Sequence, residues 1–254
     1  MRPVAFLLPL CAGLALAQAP ATEIPQPRPY QDGKDVVWVP TPDTLVEKML
    51  DMAKVTPADY VIDLGSGDGR TVIAAATRGA QALGVEYNPE LVEYSKRIAE
   101  KAGVAGKAAF AKQDLFQTDL SKATVITLFL LTDINLRLRP KLLGLKPGTR
   151  IVSNTFKMGE WEPDETATLY ANEGCKATFC TAHLWIVPAK VSGVHRLPEG
   201  ELRLQQDFQK LSGFLHRDGK AFAVSGKVSG EDVAFTAAGR EYKGRVNGRQ
   251  LVLN

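Results

Sequence analysis

The sequence predicts an α/β fold: a mainly parallel sheet with an antiparallel edge hairpin, followed by a small all-β module. Three observations carry this. Apolar strand-like runs alternate with helix-period segments over roughly the first 155 residues, the pattern of a parallel sheet covered by helices on both faces. The next two strand-like segments, "TATLYANEG" and "CTAHLWIVPA", leave little room for a helix between them, so they should pair as a hairpin. From about Val191 no helix period remains, and Asp218-Gly219 and Asn247-Gly248 punctuate short strands in the manner of two-residue turns with positive φ.

The chain has 254 residues and opens with one early charge, Arg2, and an apolar run from Val4 to Ala17 broken by Pro9. The run is shorter than the roughly 20 residues that span a bilayer, and Ala15-Leu16-Ala17 fits a small-x-small cleavage signal. Residues 1–17 read as a signal peptide and the protein as exported, to the periplasm of a bacterium; an uncleaved signal serving as a membrane anchor is the alternative. No transmembrane span is expected beyond that segment. Residues 18–34, rich in proline and polar side chains, read as a linker. The α/β domain is expected over residues 35–190 and the β-module, with about five strands, over 191–254.

Within the domain, "TPDTLVEKML" carries a helix start. Thr41 can cap, Pro42 suits the first turn and Asp43 complements the dipole; Leu45, Val46, Met49, Leu50 and Ala53 form one stripe. A strand follows in "VIDLG", then a helix from about Thr71 to Arg78. "QALGVEY" is a second strand, and "NPELVEYSKRIAEKAG" a helix with Leu91, Tyr94, Ile98 and Ala102 on one face, ended by Gly103. "AAFAKQD" and "TVITLFLL" are the third and fourth strands. "INLRLRPKLLGL" is helical, with Pro140 expected to kink or divide it, and "TRIVSNTF" is the fifth strand.

Charge and cysteines narrow the class. A net charge of +3 gives no strong nucleic-acid signal, which needs a concentrated basic face. Cys175 and Cys180 flank a turn, "GCKATFC". They either form a disulfide in an oxidising compartment or remain buried thiols. No metal site is expected.

The chemistry concentrates in "VIDLGSGDGR". In open α/β sheets the ligand lies beyond the carboxyl ends of the strands. Gly65, Gly67 and Gly69 allow a sharp turn and close approach by a ligand. A dinucleotide loop reads G-x-G-x-x-G, but here the third glycine comes one residue early and Arg70 takes its place. Asp63 and Asp68 are poor neighbours for a pyrophosphate and suit a cationic ligand such as an ammonium or sulfonium. A nicotinamide oxidoreductase is disfavoured for the same reasons. Glu86 ends the second strand where an acid bonds ribose hydroxyls, and Asp114 ends the third, where it can accept from an adenine amino group.

On "VIDLGSGDGR", "ALGVEYNPEL" and "AKQDLF", residues 36–188 resemble the seven-strand, Rossmann-like, S-adenosyl-L-methionine-dependent methyltransferases. The resemblance implies a seven-stranded sheet and S-adenosyl-L-methionine as cofactor. Asp63, Gly65, Ser66, Gly67 and Asp68 would surround its methionine part, Glu86 its ribose and Asp114 its adenine. "VPTPDTLVEKML", "DLGSGDGR" and "VSNTF" look like the protein-lysine methyltransferases acting on mitochondrial carrier and ATP synthase subunits, similar in their loop to histone methyltransferases without a SET domain. That likeness implies Pro40-Thr41-Pro42 over the cofactor, with Thr41 touching it, and a protein lysine as acceptor.

Methyl transfer asks mainly for in-line placement and a neutral nucleophile. No catalytic residue stands out. After the fourth strand there is no Asn-Pro-Pro-Tyr pattern of the amino-methylating nucleic-acid enzymes, only Asp133 and Asn135, which read more readily as helix-start residues. Asn154 and Phe156 are candidates for the acceptor side. Trp38, Tyr87 and Trp161 are candidates for aromatic walls of the site but are expected rather in the core, and His183, His195 and His216 as surface or packing residues. The acceptor is a protein or small molecule; an exported, non-catalytic cofactor-binding or structural module is the alternative function.

Overall fold

A computed structural model describes residues 26–30, 34, 36–248 and 250–254. The signal expected at residues 1–17 lies outside these, as do residues 18–25 and 31–33 of the linker. Among the described residues no helix is long and apolar enough to cross a membrane.

The α/β domain runs α1 (Asp43–Met52), β1 (Tyr60–Leu64), α2 (Arg70–Thr77), β2 (Gln81–Glu86), α3 (Pro89–Lys101), β3 (Ala108–Lys112), β4 (Val125–Leu128), α4 (Thr132–Leu142), β5 (Arg150–Asn154), β6 (Glu165–Thr168) and β7 (Thr181–Ile186). The seven strands form one sheet in the order β3-β2-β1-β4-β5-β7-β6. β1 pairs parallel with both β2 and β4, whereas β7 runs antiparallel to β5 and β6. The edge hairpin is therefore present. β1 is fed from both sides, so the chain reverses direction between β1 and β4, where such sheets bind ligands.

Alternate residues of each strand enter different cores. Val61, Val125 and Val152 pack with Leu45, Met49, Val72 and Ala75 of α1 and α2. Ile62, Leu64, Ile126 and Leu128 pack with Ile134 and Leu138 of α4 and with Trp161 and Trp185. A strand buried on both faces has no polar side to alternate, which explains the continuous apolar runs.

Several local expectations change. Thr41 does not cap α1: Pro42 occupies the capping position and its carbonyl accepts from the Leu45 and Val46 amides, each at 2.9 Å. Thr41 is one residue too far from the helix, and its hydroxyl instead accepts from Asn154 Nδ2 at 3.4 Å. The stripe Leu45, Val46, Met49, Leu50 and Ala53 is buried as expected. In α3 the buried face is Leu91, Val92, Ser95 and Ala99. Tyr94 and Ile98 sit at its margin and Ala102 is exposed, because the helix must present Ser95 to the glycine loop. Pro140 does not divide α4, which continues to Leu142; so near the helix end it forfeits the bond its own amide would have made one turn back, and little helix follows to be disturbed. The linker is not wholly outside the fold, since the Tyr30 amide bonds the Trp38 carbonyl at 2.8 Å and Lys34 reaches Asp114.

The second sheet has seven strands, not five: β8 (Gly193–Leu197), β9 (Gly200–Asp207), β10 (Lys210–Arg217), β11 (Lys220–Ser229), β12 (Asp232–Ala237), β13 (Arg240–Asn247) and β14 (Gln250–Leu253), each pairing antiparallel with the next. Asp218-Gly219 makes a hairpin turn between the paired Arg217 and Lys220, but Asn247 ends β13 and pairs with Gln250, so that turn starts at Gly248 and not at Asn247. Two of the remaining turns carry Phe208 and Ala238 at positive φ, 52° and 50°, without the usual Asn or Asp. Leu202, Leu215, Val224, Val228 and Phe235 form its core. It meets the first sheet where Phe208 stacks on Trp161, centroids 6.1 Å apart, and Gln209 Nε2 donates to the Glu162 carbonyl at 2.7 Å.

Candidate active site

The carboxyl ends of β1, β2, β3 and β4 open into a cleft of about 940 Å³, counting its solvent-filled mouth. Thr41, Asp63, Gly65, Ser66, Asp68, Glu86 and Asp114 all line it. Residues far apart in sequence meet here because consecutive parallel strands end at the same edge.

The loop between β1 and α2 is pinned from below. The Gly65 and Ser66 amides donate to the Val85 carbonyl at 2.8 and 3.0 Å, and Ser95 Oγ donates to the Gly67 carbonyl at 3.1 Å. Gly67, at φ +53°, is not among the cleft-lining residues: a Cβ there would lie 2.1 Å from Trp38 Nε1, so the indole closes over it. Gly84 on β2 is equally constrained, since a Cβ would meet Ser66 Oγ at 2.6 Å. Glycine on the neighbouring strand lets the loop settle onto the sheet.

The four acids differ in their surroundings. Asp63 is buried, opposite Gly84 and Thr127, and accepts from Thr127 Oγ1 at 2.6 Å. Burial drives its carboxyl up to about 7; the Thr127 bond opposes this, while Glu86 and Asp68 add to it. Glu86 accepts from the Gly67 amide at 3.0 Å on one oxygen and from the Asn88 amide at 2.9 Å on the other, which orients its remaining lone pairs towards the cleft. Asp114 sits below the usual carboxylate range through its hydrogen bond from Lys34, at 2.5 Å, helped by the Phe116 amide.

Asp68 departs from the sequence reading. It is engaged by Arg70, with Nη2 at 2.6 Å and Nε at 3.0 Å, and Arg70 also reaches Asp43 and the Thr41 carbonyl. Asp68 thus ties the loop to the start of α1 while still lining the cleft, and it shares Arg70 with Asp43. Asp63 carries no such ion pair, so it offers the cleft's least compensated carboxyl.

Trp38 and Tyr87 do not join the core: both line the cleft, and Tyr87 is 49% exposed. An aromatic beside a polar loop cannot be told from a core aromatic by spacing alone. Trp161 is fully buried, as expected. None of the weaker candidates lines the cleft itself, but Asn154 and Phe156 each touch a residue that does, Thr41 and Phe129. Asp133 is exposed in the first turn of α4. Asn135 is buried and donates to the Phe156 carbonyl at 3.1 Å. Asn154 is buried and accepts from Thr155 Oγ1 at 2.9 Å. Phe156 packs against Phe129, which does line the cleft. His183 bonds Thr166 through Nδ1 and the Thr155 carbonyl through Nε2, and burial lowers its pKa. It is a neutral brace. His195 bonds the Val191 carbonyl at 2.8 Å and His216 is exposed on β10.

S-adenosyl-L-methionine fits this cleft on physical grounds. Glu86 and Asp114 line it at the ends of β2 and β3, where hydroxyl and amino groups of a nucleoside would find acceptors. Asp63 is held partly protonated by burial, a state that a cation would relieve.

A sheet ordered 3-2-1-4-5-7-6, with acids ending its first three strands around a glycine loop, defines a seven-strand S-adenosyl-L-methionine-dependent methyltransferase. Similar proteins give the branch. Residues 63–165 match the model of the ANTKMT methyltransferase domain. A protein-lysine N-methyltransferase of Saccharolobus islandicus is 48% identical over 133 residues, covering 51% of this chain and 83% of that protein. A mouse enzyme named as a lysine N-methyltransferase of an ATP synthase subunit is 36% identical over 162 residues, 63% of this chain and 65% of its own length. The crystal structure of a Salinibacter ruber protein named an RNA methyltransferase, in complex with S-adenosyl-L-homocysteine, superposes with a TM-score of 0.55 and 46% identity, over 60% of this chain and 96% of that one. The chain belongs to the seven-strand S-adenosyl-L-methionine-dependent methyltransferases, in the family of the Saccharolobus protein-lysine N-methyltransferase. It is an enzyme and uses S-adenosyl-L-methionine, so the non-catalytic alternative falls.

Proposed function

We infer that the acceptor is the side-chain amine of a protein lysine. The observation that carries this is the 48% identity to a protein-lysine N-methyltransferase over 83% of that protein's length. The mouse lysine N-methyltransferase adds to it. The modest net charge of +3 speaks against an RNA acceptor, which needs many phosphate contacts.

In this reading Glu86 holds the ribose hydroxyls, Asp114 the adenine amino group, and Asp63, Gly65 and Ser66 the methionine portion. Thr41 and Trp38 cover the cofactor from the segment before α1. Gly67 and Asp68 contribute by shaping the loop. Bound there, S-adenosyl-L-methionine supplies an electrophilic methyl group on a sulfonium. The protein holds the amine in line with it and excludes water, and the amine must arrive neutral, its proton lost to solvent.

Incubating the purified chain with methyl-labelled cofactor and a cell-envelope fraction tests the reading. Label should appear in protein and survive nuclease, and hydrolysis should release methylated lysine. Label in RNA, or on a residue other than lysine, would refute it.

We further propose that the protein works outside the cytoplasm. The leader sequence and a cysteine pair joined as a disulfide support this, because such bonds persist in oxidising compartments. A reporter active only after export, fused behind residue 34, should report activity. Activity of the reverse, cytoplasm-only reporter would reject export.

A further inference from the structure

Three half-buried phenylalanines meet beside the cofactor cleft. Phe129 follows β4, Phe156 follows β5 and Phe179 precedes β7. Their centroids lie 6.1 Å apart for 129 and 156, 5.4 Å for 129 and 179, and 6.2 Å for 156 and 179. Phe129 also lines the cleft, so the aromatic surface and the cofactor site share a ring. The three rings touch one another and therefore make a wall, not a cage.

Two devices hold this wall. Phe156 follows Thr155, a β-branched residue at φ +61°, a conformation such residues avoid. The turn is kept there by the Thr155 amide on the Thr181 carbonyl at 2.6 Å and by Ser153 Oγ and Asn135 Nδ2 on the Phe156 carbonyl at 2.7 and 3.1 Å. Over-determined strain of this kind clusters at ligand sites. Phe179 lies inside the turn closed by the Cys175–Cys180 disulfide. That turn is docked on α1, where Thr44 Oγ1 donates to the Gly174 carbonyl at 3.3 Å.

The segments carrying the rings bear Asp133 and Glu173 against Lys157 and Lys176, all exposed. This balance offers no cationic surface for a phosphate backbone. Aromatic faces instead favour methylene groups and ammonium ions.

We propose that the Cys175–Cys180 disulfide is a positioning element: it fixes Phe179 so that Phe129, Phe156 and Phe179 form a wall along which the methylene stem of the acceptor lysine lies. The proposal rests on the lysine reading above and names where that lysine is gripped.

The test uses the full chain loaded with S-adenosyl-L-homocysteine, ring-labelled phenylalanine for NMR, and N-acetyl-lysine methylamide as probe. The three ring signals should shift saturably. A dithiol reductant, which gives two electrons and two protons to the disulfide and becomes cyclic disulfide itself, should weaken probe binding by about three- to tenfold. The Cys175→Ser, Cys180→Ser double variant should do the same. Phe179→Ala should match it and Phe179→Tyr should restore binding, while S-adenosyl-L-homocysteine affinity stays within about twofold throughout. Unmoved ring signals, or probe affinity indifferent to reduction, overturn the proposal while leaving the cofactor site intact. Ring shifts with adenosine monophosphate but not the lysine probe overturn it in favour of a nucleobase. Failure to bind S-adenosyl-L-homocysteine at all removes the cofactor reading and the wall's role with it.

Discussion

Asp63 is the residue whose chemistry is most exposed to experiment. Its folded pKa of about 7 exceeds the ordinary 3.8, so the folded chain keeps a proton that the unfolded chain releases. Between those values stability falls as pH rises. Asp63→Asn should flatten that slope, read from denaturation midpoints at pH 5 and 7, while keeping an acceptor for Thr127. Cofactor binding runs the other way. A sulfonium favours the ionised carboxylate, so affinity should climb with pH, approaching about tenfold per unit below 7, and level off above it. Calorimetry on the Asn variant showing an unchanged slope would assign the effect elsewhere. Glu86→Ala should weaken S-adenosyl-L-homocysteine binding by about tenfold or more, since it removes a ligand and also leaves the Gly67 and Asn88 amides without their acceptor. These residues were legible because each acid stands at a strand end, at a spacing that chemistry demands. The real partner of Asp68 was not, since Arg70 lies two positions away and the sequence does not say which way its side chain folds. Trp38, a candidate wall that spacing assigned rather to the core, was misplaced for a related reason: it reaches Gly67 from a segment with no regular structure of its own.

Among the elements, the glycine loop and the cysteine turn make separate demands on the chain. Gly67→Ala must displace the Trp38 indole and hold a side chain at positive φ, so it should lower both stability and cofactor affinity. A stable variant with normal affinity would show that Trp38 yields freely. Reduction of Cys175–Cys180 should cost about 2 kcal/mol, because the closed loop is short; urea midpoints with and without reductant measure it. The parallel strands were legible because each is a short apolar run, and the edge hairpin because its two segments leave no room for a helix between them, although β6 itself is polar and exposed. The second sheet was only half legible. Its seven strands alternate as sequence pattern requires, but turns at Phe208 and Ala238 use residues that seldom take positive φ, and at Phe208-Gln209 no glycine separates the strands.

The whole molecule is two sheets joined through a small patch centred on Phe208 and Trp161. Phe208→Ala should cost about 1.5–3 kcal/mol and separate the melting of the two sheets, followed by the near-ultraviolet signal of the tryptophans. A single unchanged transition would mean that the junction rests on Gln209 and the backbone contacts instead. The order of strands also has a kinetic side. In the first sheet β1 must find β4, with Asp63 and Thr127 64 residues apart, whereas every pairing in the second is between sequence neighbours. Low contact order favours rapid folding and distant pairing slows it. A ribosome delivers the slow half first and the fast half last. The meander can therefore be complete while the catalytic half is still searching for its register, and it then offers that half a finished surface on which to settle.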